Sequence, residues 1–300
     1  MAKPFLKWVG GKTQLLDNVL ALFPPLVKNY YEPFVGGGSV LLGYLSEVKA
    51  GKKQLQGSVY ASDLNPHLIA LYKHIQSEPT QLLEQLRKLQ TEFSAIQVME
   101  GSKEPTSVEE AKTSQESYYY WIRKLFNDNR QIHTLEMSAR MVFLNKVGFR
   151  GVYRENKDGE FNVPFGHNKA PTLFEEDNIL AVSQLLQPVV FMCEDFEGPL
   201  RRAVQGDFVY VDPPYAKEQA TSFTGYQADG FPLAKHQLLF RLCHSLREKQ
   251  IKFVMSNADV ALVQQAFPTP PYTRYIVIAR RAIHSKDPSK QTNELLIETT

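Results

Sequence analysis

The sequence predicts an α/β protein built on an open sheet, and three stretches carry that prediction. Each is a short apolar strand running into a turn rich in glycine or in acidic residues: YYEPFVGGGSVLL at residues 30–42, SVYASDLN at 58–65 and DFVYVDPPY at 207–215. Ligands of open α/β sheets sit beyond the carboxyl ends of the strands, so these turns are where chemistry is expected.

Composition narrows the class without naming a ligand. With 43% apolar and 22% charged residues in 300 positions, the chain has material for a sizeable core in one large or two ordinary domains. No apolar run approaches the length of a membrane span, and the first residues lack a charged-then-apolar leader pattern, so a cytoplasmic protein is expected. Cys193 and Cys243 have no second cysteine or histidine at zinc-ligand spacing; both read as reduced packing residues, and no metal is expected. The net charge of +2 gives no argument for a polyanionic partner, so any basic surface must be local.

In chain order, FLKWVGGK at residues 5–12 places two glycines and Lys12 ahead of an amphipathic helix around Thr13 to Leu22. The GxxxxGK[ST] spacing of a Walker loop is missing, and a plain turn is the simpler reading of this piece alone. Gly36, Gly37 and Gly38 then follow a strand and precede a fresh apolar run, which is the first crossover of nucleotide-binding folds. Leu41 stands where a dinucleotide fingerprint needs its third glycine, which favours a ligand without a pyrophosphate. Asp63 ends the second strand; there it either takes the two hydroxyls of a ribose or caps the helix from Pro66.

Leu68, Leu71, Tyr72 and Ile75, then Leu82, Leu83, Leu86 and Leu89, recur at helical spacing and predict a helix over residues 66–92. Polar residues 94–117 are expected as a mobile surface loop or insertion, and YYYWIRKL at 118–125 as an aromatic-rich helix. Residues 152–155 and 160–163 flank Asn156 to Gly159, where Asp158-Gly159 signals a hairpin. Lys146, Arg150, Arg154 and Lys157 are interleaved there with Phe149, Tyr153 and Phe161, as on a two-stranded ribbon that enters a major groove or on an exposed charged hairpin. The α/β rhythm then resumes: a helix over 177–186, a strand over 189–193 before Glu194-Asp195-Phe196, and the strand before Asp212. A polar stretch with Phe223 and Tyr226, a helix over 232–249 and a strand over 251–255 follow. Residues 275–279 and 295–298 should form an antiparallel pair joined by polar residues.

The sharpest chemistry lies in Asp212, Pro213, Pro214 and Tyr215. Two prolines end the strand rigidly and leave the Pro213 carbonyl free to accept a hydrogen bond. A carboxylate, a carbonyl and an aromatic face suit a planar heterocycle with an exocyclic amine: two acceptors for its two N–H groups and a ring to stack on. Ordinary punctuation after a strand is the alternative for the tetrapeptide alone.

Taken in order, FLKWVGGK, EPFVGGG, SDLNP, FLNKVGFRGVYREN, GEFNVPFG and DPPY resemble the DNA adenine methyltransferase (Dam) family over nearly the whole chain. The resemblance implies a Rossmann-like methyltransferase fold: a mostly parallel, mixed seven-stranded sheet with an inserted helical target-recognition domain that carries a β-hairpin. Residues 1–63 and 178–300 would form the S-adenosylmethionine-binding catalytic domain, and 64–177 the recognition domain. It further implies transfer of a methyl group from S-adenosylmethionine to the amine of an adenine flipped out of double-stranded DNA, since chemistry on a stacked base requires extrusion. Asp212, Pro213, Pro214 and Tyr215 match the catalytic tetrapeptide. Trp8, Gly10 and Lys12, Phe34, Gly36 and Gly38, Asp63, and Asp195 with Phe196 match cofactor positions. Lys7, Phe149, Arg154, Asn156 and Pro164 match DNA-contacting positions.

Arg150 departs from the Asn of a common family FNG pattern, and Val152 from a frequent Leu. Both lie in the recognition segment, so GATC is the expected target with CATG as the alternative; Arg150 joins the DNA-binding set. Restriction-modification is an expected setting, with a cognate endonuclease acting on the same site without being bound. A methyltransferase for another planar amine, cytosine in DNA or adenine in RNA, and a catalytically silent DNA-binding relative are the rival readings.

Overall fold

The structure is a computed structural model that describes residues 2–168, 171–216, 231–280 and 291–299. Within the described residues the chain forms two compact units, one of residues 12–64 with 188–300 and one of residues 2–11 with 65–187. Against the boundaries expected from the motifs, the N-terminal segment and the helix before residue 188 both belong with the second unit.

The first unit is organised by a seven-stranded sheet. Elements are numbered in chain order. Strand β2 (Tyr30–Glu32) lies between β4 (Val59–Asp63) and β6 (Phe208–Val211); β5 (Val189–Cys193) extends the sheet beyond β4, and β7 (Lys252–Ala258) beyond β6. All these pairings are parallel. The sheet is completed by β9 (Gln291–Thr299) and the edge strand β8 (Tyr272–Arg280), paired antiparallel. Residues 281–290, which join them, lie outside the described residues, as do Phe223 and Tyr226. Two short strands, β1 (Leu26–Val27) and β3 (Gln54–Leu55), pair separately.

Every residue of β2 and β6 is buried, as the interior of a parallel sheet requires. The chain winds from β2 towards β5 on one side and from β6 outward on the other, so the order reverses between β2 and β6. Ligand sites of open α/β sheets lie at such a reversal. Helices α1 (Leu16–Ala21), α2 (Ser39–Lys49), α9 (Glu197–Arg202), α10 (Leu233–Glu248) and α11 (Ala261–Ala266) belong to this unit.

The second unit is helical: α3 (Pro66–Ser77), α4 (Pro79–Ala95), α5 (Val108–Ala111), α6 (Gln115–Asp128), α7 (Leu135–Val147) and α8 (Glu176–Leu186). The single helix expected over 66–92 is two. Pro79 has no N–H for the ladder and forces Glu78 out of helical geometry (φ −135°, ψ 47°), so α4 starts afresh there. Side-chain oxygens of Asn65, Ser114 and Thr134 cap α3, α6 and α7 by accepting from Leu68, Ser117 and Met137.

Residues 94–117 are not the solvated loop that their polarity suggested. Helix α4 takes the first two, and Ser114, Gln115, Glu116 and Ser117 are buried. The Gln115 and Glu116 amides donate to the Val98 and Met99 carbonyls, and Glu116 accepts from the Gly101 amide at 3.2 Å. The polar side chains thus satisfy backbone groups that folding removes from water. Cys243 is buried as expected, whereas Cys193, at the end of strand β5, is exposed.

Candidate active site

Asp212 follows the last residue of β6, beside the reversal in strand order. Its Oδ2 lies 2.8 Å from the Lys12 ammonium, with 17% of the aspartate and 4% of the lysine side chain exposed. Lys12 is placed by its own backbone, whose N–H donates to the Ser39 hydroxyl at 2.9 Å at the start of α2. Burial drives the Asp212 carboxyl above the usual aspartate range, and the lysine opposes that rise. Removing either partner would leave a charge in a site with little water.

Tyr215 completes the corner. Its hydroxyl donates to Glu294 Oε2 at 2.7 Å, and the Lys12 ammonium sits 4.9 Å above its ring. The next amide, that of Ala216, donates to Asn257 Oδ1 at 3.1 Å. Pro213 is buried and Pro214 exposed. Beneath this layer Glu32, 2% exposed, accepts from the Tyr30 hydroxyl at 2.6 Å. Burial, with the Asp212 charge adding to it, pushes the Glu32 carboxyl up to about 8 against the Tyr30 and Leu41 hydrogen bonds.

The glycine turn and Asp63 meet. Gly36 (φ 46°) and Gly38 (φ 69°) take left-handed conformations, Gly38 directly preceding α2, and the Gly36 amide donates to Asp63 Oδ2 at 3.1 Å. The N-cap of α3 is Asn65, whose side chain accepts from the Leu68 amide. The acid therefore stands at the end of β4 beside the turn, the arrangement that suits a ribose.

At the neighbouring strand end, Phe34 and Phe196 stack on each other at 5.4 Å and 24°. Both Asp195 oxygens are engaged: Oδ2 with Lys235 at 2.9 Å, and Oδ1 accepting from the Glu197 amide at 3.2 Å. Lys235, on α10, had no signal in the sequence beyond an ordinary helical lysine. Trp8 and Gly10 lie in the helical unit; there Trp8 stacks on Tyr153 at 5.4 Å and 24°, and Gly10 has φ 81°.

The DNA-binding candidates all lie in the helical unit. The hairpin over 152–163 has the expected turn, but its pairing is confined to an isolated Glu155–Phe161 bridge, with Asn162 N–H donating to the Arg154 carbonyl. Asn156 builds this turn, its Oδ1 accepting from the Asp158 and Glu160 amides and its Nδ2 donating to Glu160. Arg154 is exposed and donates to Asn162 Oδ1 at 2.7 Å. Phe149 is exposed, with the Arg150 guanidinium 5.1 Å from its ring, and the Pro164 carbonyl accepts from the Phe149 amide. Arg150 has φ 57°, a left-handed conformation costly for a residue that is not glycine or asparagine. Lys7 is exposed, and its amide donates to Asn145 Oδ1 at 2.9 Å.

Sequence reasoning missed Glu294, Glu32 and Asn257. Glu294 begins an apolar-flanked ELLIE run that reads only as strand, and nothing local marks it as facing Tyr215. Lys12 was foreseen as a cofactor residue, yet its ammonium is paired with Asp212. Among the described residues, no group of three or more histidine, cysteine, aspartate or glutamate side chains could hold a metal ion, and no helix is long and apolar enough to cross a membrane.

Comparison with known proteins agrees with the motif order. The family model for the D12 class N6 adenine-specific DNA methyltransferases matches residues 8–283. A type II methyltransferase of Methanocaldococcus jannaschii, M.MjaIII, is 37% identical over 263 residues, covering 85% of this chain and 84% of that protein. The DNA adenine methylase of Haemophilus influenzae is 33% identical over 291 residues (96% and 90% covered), and that of Escherichia coli 31% over 297 residues (98% and 94%). Together with a seven-stranded α/β sheet that presents a DPPY turn at its strand reversal, these matches establish that the chain belongs to the D12 class of N6 adenine-specific DNA methyltransferases.

Proposed function

We propose that the chain methylates the exocyclic amine of adenine within GATC sites of double-stranded DNA, with S-adenosylmethionine as the methyl donor. The observation that carries this reading is the Asp212 carboxylate, paired with Lys12 at the carboxyl end of β6 and followed in the chain by Pro213. An amine conjugated to a purine ring is a poor nucleophile because its lone pair is delocalised. Two acceptors that hold its hydrogens favour a more tetrahedral nitrogen, and the lone pair becomes available. Asp212 and the Pro213 carbonyl take these roles, and the Tyr215 ring receives the extruded base.

Lys12 occupies the acceptor that the amine needs. As the base enters, the ammonium gives up one carboxylate oxygen, and its positive charge keeps Asp212 ionised until the amine replaces it. S-Adenosylmethionine supplies a methyl group on a sulfonium, which needs no activation by the protein beyond alignment. The glycine turn at the start of α2, with Asp63 bonded to it, fits the ribose and methionine parts of that molecule. The stacked Phe34 and Phe196 offer its base an aromatic surface beside Asp195.

The choice of GATC rests on the Dam resemblance and on exposed Arg154, whose fork matches the two major-groove acceptors of guanine. The test is incubation of unmethylated genomic DNA with the purified protein and labelled S-adenosylmethionine, followed by nucleoside analysis and by sequencing that reports modified adenines. N6-methyladenine confined to GATC is expected. Label in cytosine would overturn the reaction, and modification at CATG or another motif would overturn the site alone.

A further inference from the structure

The corner that holds Asp212 contains a second carboxylate with no role so far. Glu294 pairs with Ala258 in the register of β9 against β7. Its Oε2 accepts from the Tyr215 hydroxyl at 2.7 Å. One residue earlier on β7, fully buried Asn257 turns its Oδ1 to the amides of Ala216 at 3.1 Å and Ala258 at 2.8 Å. Two strands therefore grip the two residues that follow the prolines, one by its side chain and one by its backbone. The ring between them lies under the Lys12 ammonium.

A phenol has one proton to give. With Glu294 as its acceptor at 2.7 Å, Tyr215 commits that proton to β9, while its hydroxyl stays close enough to Asp212 to favour the ionised carboxylate. Without Glu294, the acceptor within reach of the same hydroxyl is Asp212. A hydroxyl donating its proton there would occupy the group that must receive the adenine amine.

We propose that Glu294 is a positioning residue for methyl transfer: by accepting the Tyr215 hydroxyl it fixes the stacking ring and reserves Asp212 for the amine. The inference rests on the proposed roles of Asp212 and Tyr215 and adds to them a residue from a distant strand. A purely structural glutamate would act through folding. A positioning glutamate acts through the orientation of one hydroxyl and through charge.

The charge gives a second handle. The groups that face Asp212 electrostatically are Lys12 ahead of α1, Tyr215 in its own turn, Glu294 on β9, Glu32 on β2 and Tyr210 on β6. Glu294 disfavours ionisation of Asp212, and Lys12 favours it. Replacing Glu294 by glutamine keeps an acceptor oxygen for Tyr215 and removes the charge. Asp212 should then ionise at lower pH.

The experiment is steady-state methyl transfer to adenine in duplex DNA by the full chain, its Glu294→Gln, Glu294→Ala and Tyr215→Phe variants and the Glu294→Ala/Tyr215→Phe double variant. Glu294→Ala is expected to lower kcat about tenfold or more, the loss of one hydrogen bond to a charged group, with little change in KM for DNA. Glu294→Gln should recover most of kcat and move the acid limb of the kcat/KM profile to lower pH. Adding Tyr215→Phe to Glu294→Ala should raise kcat above that of Glu294→Ala alone, because the competing proton is gone. Wild-type kcat in Glu294→Ala, no rescue by glutamine, an unmoved acid limb or a double variant no faster than Glu294→Ala would each overturn the proposal. If Glu294→Ala does not fold, the pH profile of Glu294→Gln decides alone. Absence of adenine methylation by the wild-type protein would instead remove the underlying reading, and the inference with it.

Discussion

The turn after β6 and the ribbon over residues 152–163 both carry charged side chains proposed to meet DNA, but they differ in how those side chains are held. Around Asp212 the supports come from distant positions in the sequence: buried Lys12 from the N-terminal side, buried Asn257 from β7 and half-buried Glu294 from β9. The ribbon is anchored at its base and exposed at its tip: Asn127 of α6 exchanges hydrogen bonds with the Phe161 backbone, and Tyr119 and Arg123 donate to the Val163 carbonyl. Asn156 closes its turn, Arg154 leans on Asn162, and one isolated bridge links its arms. Geometry set by several strands cannot drift, which suits a reaction that depends on orientation. The exposed side chains of the ribbon's tip, Arg154 among them, can be exchanged at small cost in stability, which would suit the sequence-reading role proposed for them.

That contrast is broken most directly at the corner. Asp212→Ala removes the acceptor for the amine and the carboxylate with which the Lys12 ammonium pairs. A loss in kcat on the order of 10²–10⁴-fold is expected, with DNA affinity largely kept. Single-turnover rates at saturating DNA and methyl donor check it, and a near wild-type rate would remove Asp212 from the chemistry.

Glu32 tests the same corner through stability. Its carboxyl is raised to about 8 in the folded protein from an ordinary value of 4.5. At pH below 4.5 both folded and unfolded states hold the proton, and Glu32 contributes no pH dependence. Between 4.5 and 8 the unfolded state ionises first, so stability falls as pH rises, and it levels off above 8. Glu32→Gln keeps an acceptor for Tyr30 and escapes this loss. The variant should be more stable than wild type at pH 8 by on the order of a few kcal/mol, with the difference vanishing toward pH 4.5. Denaturant melts at several pH values measure it; a difference independent of pH would show that Glu32 is ionised in the folded protein.

How much of this was legible in the sequence follows from the range of the interactions. Strands β2, β4 and β6 announced themselves because a buried parallel strand is a continuous apolar run, and Asp63 and Asp212 because each ends such a run. The break at Pro79 was also written locally, yet the leucine periodicity on both sides concealed it. Residues 94–117 misled because polarity is a statement about composition. Glu116 and Gln115 are buried by the backbone groups they satisfy, and those partners cannot be read from spacing. Glu294 was illegible for the same reason: its partner is Tyr215, and only the register of β9 on β7 brings them together. Lys12 was placed among the cofactor residues by the family resemblance alone, and its pairing with Asp212 depends on a contact between residues distant in the chain that no local pattern records.

The ribbon should give smaller effects of a different kind. Arg154→Ala removes a side chain whose exposed fork fits guanine and whose Nε already leans on Asn162. A bidentate arginine–guanine contact discriminates by about 1–3 kcal/mol, so choice at one base should relax by that amount, with the salt dependence of binding changed little. Competition between duplexes that differ at each position of the site checks it. A uniform loss of affinity across sequences, with a shallower salt slope, would make Arg154 a phosphate contact.

The smallest expected effect belongs to Arg150, in the turn that leads into the ribbon. Its φ of 57° is a conformation that asparagine adopts readily and arginine does not. The common family pattern has asparagine at this position, so the arginine is retained here against a local backbone cost. Its guanidinium lies 5.1 Å from the Phe149 ring, a contact at an exposed site that offsets part of that cost. Arg150→Asn should therefore stabilise the fold slightly, by up to about 1 kcal/mol, while any change in methylation reports what the arginine does on DNA. If Arg150 reads a base, the asparagine variant will redistribute methylation among adenine sites at constant total rate. If it clamps a phosphate, all sites will weaken together and the salt slope will fall by about one. A variant less stable than wild type would mean that the contact with Phe149 outweighs the cost of the left-handed backbone.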